Sequence, residues 1–297
     1  MNEHRRPRNA VEPARSFDLV ADAYDRAWPS YPAEAVAWLL DGIGTGEGPV
    51  EVLELGAGTG KLTEQLLARG CSVTATDRSP AMLGMLSRRA SRARAVAAVA
   101  EQPPVATRST DLVVAAQAFS WFDAEPTVQQ AARVLRPGGR FAVVWSRRDE
   151  RIPWVRRLGR IIGSDEGETS SPDPTAVVDE TGMFETVESS TFRFWHPLNP
   201  GSLRDLAVSQ PAVALMSDFE RARVLRHVDD LYAEYGRGAD GMLLPYVTTV
   251  RRTAVLPWAL PEEPEPGPVA APGGSLPDEG AGGPQPTDDD ALLIDFR

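Results

Sequence analysis

The sequence predicts an α/β fold built on a doubly wound, largely parallel sheet. Two observations point to it. Apolar, β-branched runs alternate with helical patterns from Val50 to Trp145, the rhythm of successive βαβ units. Residues suited to a ligand (the glycines at 56, 58 and 60, Asp77, Glu101, Gln117 and its aromatic neighbours) follow the ends of those runs. Open sheets of this kind bind ligands beyond the carboxyl ends of their strands.

The elements follow in order. Residues 1–14, polar and rich in Arg and Pro, read as a disordered arm. Residues 16–25 read as a short helix capped by Ser16, with Phe17, Val20, Ala21 and Tyr24 at helical spacing. Trp28-Pro29-Ser30-Tyr31-Pro32 is extended, because each proline biases its predecessor away from helix. Residues 34–40 are helical and 41–48 form a loop. Val50, Val52, Leu53 and Leu55 make a strand buried on both faces. Three alternate glycines then turn the chain into a helix over 61–69. A second strand at 72–76 closes on Asp77, and Ser79 caps the next helix with Pro80 in its first position. Further strands are predicted at 95–100, 110–116 and 140–145, with a helix at 123–135 and a turn at 136–139. Beyond them come a helix at 151–162, a polar loop at 163–174, a strand at 191–195, helices at 203–215 and 218–235, and a closing strand at 246–256. The composition from Pro261 to about Pro286 supports no structure.

A net charge of −11 supplies none of the basic footprint that nucleic acid requires. Nine acidic residues against one arginine place most of that charge in residues 258–297, read as a disordered acidic tail. Cys71, the only cysteine, excludes an internal disulfide and suits a reducing compartment. Three histidines without cysteine partners give no metal-ligand spacing. No apolar run approaches the roughly 20 residues that span a bilayer, and the arginines at 5, 6 and 8 precede no secretory apolar segment. A soluble cytoplasmic protein without metal, nucleic-acid or membrane partner is expected. Lys61, the single lysine beside thirty arginines, reads as compositional bias.

Three nucleotide-type motifs compete for the glycine turn. A phosphate-cradling loop needs Gly, four residues, then Gly-Lys-Ser/Thr; Leu55 and Leu62 stand where glycine and hydroxyl are required. The dinucleotide pattern G-x-G-x-x-G is one residue too long for Gly56, Gly58 and Gly60. Acidic-x-G-x-G-x-G fits Glu54-Leu55-Gly56-Ala57-Gly58-Thr59-Gly60 throughout. Asp77, one helix and one strand later, is placed to accept hydrogen bonds from both ribose hydroxyls of a nucleoside.

These residues, with Ser79-Pro80-Ala81-Met82, Ala100-Glu101, Ala116-Gln117-Ala118-Phe119, Trp121-Phe122-Asp123 and Leu135-Arg136-Pro137-Gly138-Gly139, carry a pattern that resembles class I S-adenosylmethionine-dependent methyltransferases. More narrowly, the chain is similar to the methyltransferase type 11 domain and the trans-aconitate-methyltransferase-like branch. The resemblance covers residues 17–256 and implies a seven-stranded, mostly parallel sheet with one reversed edge strand, within a domain over 15–257. The cofactor half would span about 49–146, and residues 15–48 and 147–257 would serve the substrate. It further implies that Glu54, Gly56, Ala57, Gly58 and Gly60 hold the methionine part of S-adenosyl-L-methionine. Asp77 would bind the ribose, Arg78 and Met82 the adenine pocket, and Ala100 and Glu101 the adenine. Gln117 would lie under the sulfonium and Tyr24 would close over it. Two positions depart from the branch: Ser120 replaces a histidine before Trp-Phe, and Trp28 replaces an arginine before Pro-x-Tyr-Pro.

The expected activity is methyl transfer to an oxygen, carboxylate or hydroxyl, of a small molecule. Trp28, Tyr31, Phe119, Ser120 and Trp121 are the candidate substrate residues, with Trp195 and Tyr246 as further aromatic candidates. His196 is the best placed general base, against a purely structural role at a strand end. Arg147 and Arg148 read either as surface arginines or as partners of an acidic acceptor. The rival classes are a catalytically inactive binding or scaffolding protein of the same fold, and a nicotinamide oxidoreductase. Residues 288–296 set an apolar cluster among acids, a docking peptide for a partner groove or an inert tail.

Overall fold

The computed structural model describes residues 23, 25–44, 48–163, 175–236 and 241–261. The helix expected at 16–25 up to residue 22, Tyr24, residues 1–14, most of the 163–174 loop and the tail from 262, including 288–296, lie outside the described residues. Seven strands form one sheet: β1 (Glu51–Leu55), β2 (Ser72–Asp77), β3 (Arg94–Ala97), β4 (Thr110–Ala116), β5 (Leu135–Arg148), β6 (Glu188–Leu198) and β7 (Met242–Ala254). The order is β3-β2-β1-β4-β5-β7-β6. β3, β2, β1, β4 and β5 run parallel, whereas β7 is antiparallel to both β5 and β6. The reversed strand is therefore the penultimate one, not the edge strand that the resemblance implied.

The central strands bury both faces, as parallel strands covered by helices on each side must. Val52, Val73, Leu112, Val114, Ala142 and Val144 point to one layer, shared with α1 (Ala33–Leu40), α2 (Lys61–Ala68) and α3 (Pro80–Arg89). Their chain neighbours Leu53, Leu55, Val113, Ala115, Phe141 and Val143 point to the other, against α4 (Ala124–Val134) and α6 (Ala176–Thr181). A third cluster joins α5 (Pro153–Ile162), α7 (Pro200–Val208), α8 (Pro211–Ala214) and α9 (Asp218–Tyr235) to Leu198, Leu244 and Tyr246 of β6 and β7. This helical layer also holds Ala27 and Trp28.

The differences from the sequence reading have local causes. The helix expected over 203–215 is two helices, because Pro211 has no N–H to continue the first one. Asn199 and Ser202 close a capping box that starts α7 earlier than its apolar pattern does. The turn at 136–139 lies inside β5: Leu135 pairs with Thr110 and Arg140 with Leu112, so the extra residues bulge out, with Gly138 at φ 77°. β3 is shorter than expected, β6 longer, and β7 starts four residues earlier. The expected tail boundary also moves. Residues Pro257–Ala259 form a 3₁₀ turn, and Ala259 and Leu260 pack on the second core layer. No described helix is long and apolar enough to cross a membrane.

Candidate functional site

At the carboxyl end of β1 the chain makes a turn that only glycine makes without strain. Gly56, Gly58 and Gly60 all have left-handed φ, at 65°, 56° and 83°. A Cβ on Gly56 would lie 2.6 Å from the Ala118 Cβ and 2.9 Å from the Phe122 ring. One on Gly60 would lie 2.9 Å from Leu86 Cγ. Nothing lies within 4 Å of a Cβ on Gly58. Two glycines thus let the turn pack closely against the connection after β4 and against α3, and the third presents bare backbone to a cleft.

Asp77 fixes that turn. Its carboxylate accepts hydrogen bonds from the Gly58 N–H and the Ser79 N–H, both at 2.8 Å. The glycine turn and the end of β2 are thereby joined through one side chain. Glu54 lies beneath, 1% exposed, and accepts a 2.6 Å hydrogen bond from the Thr63 hydroxyl. Burial, reinforced by the Asp77 charge and only partly offset by Thr63, pushes its carboxyl up to about 8.

Gln117 stands opposite, at the end of β4, with φ 58°. A left-handed glutamine is uncommon, and here three hydrogen bonds hold it. Its N–H donates to Val144 O at 2.8 Å, its side-chain amide donates to Ser146 O at 2.9 Å, and its amide oxygen accepts from Ser146 N–H at 3.2 Å. The side chain therefore continues the β4–β5 ladder past the strand end. Ser146 in turn shares a 2.8 Å hydrogen bond with Thr248 of β7.

The cleft between these groups is lined by Glu54, Gly56, Ala57, Gly58, Thr59, Lys61, Leu62, Ala116, Gln117 and Ser146, together with Trp28, Pro29 and Tyr31. Of these thirteen residues, seven (Trp28, Tyr31, Glu54, Gly56, Ala57, Gly58 and Gln117) are site candidates of the sequence. Met82 and Ala100 are buried outside the lining, and Arg78 is exposed. Glu101 uses its carboxylate to accept the Asp123 N–H at 2.8 Å, at the start of α4.

Four further residues expected at the site lie away from the cleft lining. Phe119, expected to face substrate, is 3% exposed and packs against Phe122 and Phe141 in the second core layer; an aromatic after a strand fits core and pocket equally in sequence. Ser120 and Trp121 are exposed and lie outside the cleft lining. His196, expected as base, shares a 3.1 Å hydrogen bond between Nε2 and Ala27 O, edges onto Tyr246, and does not line the cleft. Burial lowers its pKa, the Ala27 contact opposes that shift, and Lys61 adds to it. Arg148 is not a surface residue either: its side chain is 0% exposed, 3.7 Å from Glu150.

The sequence reading missed a clasp on residues 25–28. Arg89, at the end of α3, grips Asp25 with both guanidinium arms and also donates to Thr59 O of the glycine turn at 3.1 Å. Lys61 donates to Asp25 O at 2.8 Å, His196 meets Ala27 O, and the Trp28 indole donates to Ser209 Oγ at 3.1 Å. Burial alone would raise the Asp25 carboxyl, yet Arg89, Thr59 and Lys61 together hold it below its usual range. The one available signal was Lys61 itself, the sole lysine directly after the last glycine. Arg89→Ala is expected to raise hydrogen exchange across residues 25–32 by about tenfold or more, with β1 and β4 amides unchanged. Mass-spectrometric exchange checks this, and unchanged protection at 25–32 would sink the clasp.

A sequence profile described as "Methyltransferase domain" matches residues 53–143, which hold the glycine turn, Asp77 and Gln117. An uncharacterized methyltransferase of Mycobacterium tuberculosis is 38% identical over 246 residues, covering 81% of this chain and 96% of that protein. An uncharacterized methyltransferase-like protein of Schizosaccharomyces pombe is 37% identical over 145 residues, covering 48% of this chain and 56% of that one. The structure of a methyltransferase assigned to an antibiotic biosynthesis pathway in Anabaena variabilis shares the fold. It has a TM-score of 0.55 and 17% identity, covering 75% of this chain and 98% of that one. With this fold, this turn and the full-length mycobacterial relative in agreement, the chain belongs to the class I methyltransferase family.

Proposed function

We propose that the protein transfers the methyl group of S-adenosyl-L-methionine to an oxygen of a small molecule, with a carboxylate as the favoured acceptor. The observation that carries the cofactor reading is the turn at Gly58. Its open α-carbon lines the cleft, and its N–H is held at 2.8 Å by the Asp77 carboxylate at the next strand end. Those residues fit the cofactor: bare backbone for its close approach, Asp77 for the ribose hydroxyls, and the Glu54 and Gln117 level for its methionine end. When bound, the cofactor supplies an electrophilic methyl group.

The chain's own part is positioning and exclusion of water. Gln117, locked by Ser146, gives the cleft a rigid polar wall, and Trp28 and Tyr31 add aromatic lining. Glu54 and Lys61 are the carboxyl and amine groups of the described lining, and both are engaged, with Thr63 and with the Asp25 carbonyl. An acceptor that is already an oxyanion needs no base to remove a proton, which favours a carboxylate over a hydroxyl. A malonyl-[acyl-carrier protein] O-methyltransferase of Enterobacter lignolyticus, 36% identical over 112 residues and 37% of this chain, supports oxygen as the methylated atom.

Calorimetric titration with S-adenosylhomocysteine tests the cofactor, and methyl transfer from the labelled cofactor to a panel of carboxylic acids, alcohols and amines tests the acceptor. Micromolar binding and base-labile methyl esters are expected. A well-folded protein that does not bind S-adenosylhomocysteine would favour the scaffolding alternative; methylated amines alone would overturn the oxygen acceptor.

A further inference from the structure

A second, open cleft lies between α5 and α9, with about 600 Å³ of space. Arg157 and Arg160 reach it from α5, and Arg223 and His227 from α9. Spacings of three and four residues keep each pair on one face of its helix, so two polar rows face each other across the opening. Ile161, Met216 and the buried Val224 form the apolar floor.

This charge is only partly cancelled from within. Glu234 holds Arg157 at 2.7 Å. Glu220 feels the Arg223 charge, but its carboxylate is hydrogen-bonded to Ser217. Among the described residues no carboxylate stands within ion-pair distance of Arg160, Arg223 or His227. Arg26, Arg89, Arg136, Arg204 and Arg252 each meet one, while Arg69, Arg92 and Arg140 donate to backbone carbonyls instead. Guanidiniums gathered around one opening repel each other unless an anion lies among them, and the chain as a whole carries −11.

We infer that this cleft binds an organic phosphate, its head held by Arg160, Arg223 and a ring N–H of His227, its apolar stem resting on Ile161, Met216 and Val224. The planar fork of arginine matches phosphate oxygens in pairs, and a dianion answers two guanidiniums where a monoanion answers one. The floor selects an ester with an apolar group over the bare ion. No residue of the glycine-turn cleft takes part, so the site stands independently of the methyltransferase chemistry.

The test is calorimetric titration of the full chain with phenyl phosphate, inorganic phosphate and benzoate. The proteins are the native chain, Arg160→Ala, Arg223→Ala and the double variant, each also titrated with S-adenosylhomocysteine. Phenyl phosphate is expected to saturate one site at least about tenfold more tightly than the other two anions. Each single substitution is expected to weaken it by about tenfold, as loss of a charge-assisted contact does, and the double variant to abolish it. S-adenosylhomocysteine affinity should stay constant throughout. Equal weak responses to all three anions, or phenyl phosphate binding that survives in the double variant, would overturn the site. So would binding of an acidic peptide by a chain that ignores phenyl phosphate. If phenyl phosphate binds as expected and S-adenosylhomocysteine does not bind the native chain, the phosphate site stands and the proposed function falls.

Discussion

Replacing Asp77 by alanine is expected to lower affinity for S-adenosylhomocysteine by roughly a hundredfold to a thousandfold. The carboxylate accepts two backbone N–H groups at 2.8 Å, from Gly58 and from Ser79. Hydrogen bonds to a charged group contribute about 1.5–3 kcal/mol each. Alanine therefore releases the glycine turn from β2 and also removes the acceptor proposed for the ribose. Asp77→Asn separates the two roles, since its amide oxygen can still accept one N–H while its amide nitrogen cannot accept the other. The asparagine variant should fall between native and alanine in calorimetric affinity and in thermal midpoint. Native-like binding by Asp77→Ala would remove Asp77 from the site.

The second large effect divides the glycines by what their missing side chains leave free. Gly56→Ala combines two penalties: a left-handed φ of 65° and a Cβ placed 2.6 Å from the Ala118 Cβ. The first costs about 1–2 kcal/mol and the second typically 1–3 kcal/mol. Ala118 has no rotamer with which to withdraw. Denaturant unfolding should report a loss of about 2–5 kcal/mol. Gly58→Ala meets nothing within 4 Å and carries only the backbone penalty, so it should fold, yet its methyl would occupy the cleft. Its expected signature is a stability loss of only about 1–2 kcal/mol with cofactor-analogue affinity reduced by about a hundredfold or more. Native affinity in a folded Gly58→Ala chain would show that the ligand does not approach this backbone.

The parts of the site legible in sequence were those whose chemistry is written in neighbouring residues. Glu54 and the alternate glycines form one short run, Asp77 closes the next strand, and Ser79-Pro80 announces a helix start that the structure reproduces with the Ser79 hydroxyl accepting Met82 N–H. Both-face burial of β1 and β4 likewise follows from local apolar runs. Illegible were the residues that meet only after folding. Asp25 and Arg89 are 64 positions apart, and no local pattern distinguishes that arginine from the other arginines of the chain. His196 and Phe119 show the opposite failure, since a polar ring at a strand end and an aromatic after a strand are chemically suited to a site but are used here for a carbonyl contact and for core. The bulge within β5 and the break at Pro211 were misread because the hydrophobic pattern runs through both while backbone pairing does not.

The position of β7 bears on how the chain reaches this structure. β1 to β5 can assemble from successive βαβ units, but among the described residues β6 pairs only with β7, and β7 with β5 across about a hundred residues. Pairings of such separation require closure of a long loop before any contact rewards it. Until residues 242–254 have been synthesised, β6 has no partner and β5 presents a bare edge, an invitation to wrong pairing. The β1–β5 part can thus be shaped early on the ribosome, while the wall that carries Thr248 and Tyr246 sets only once residues 242–254 have followed.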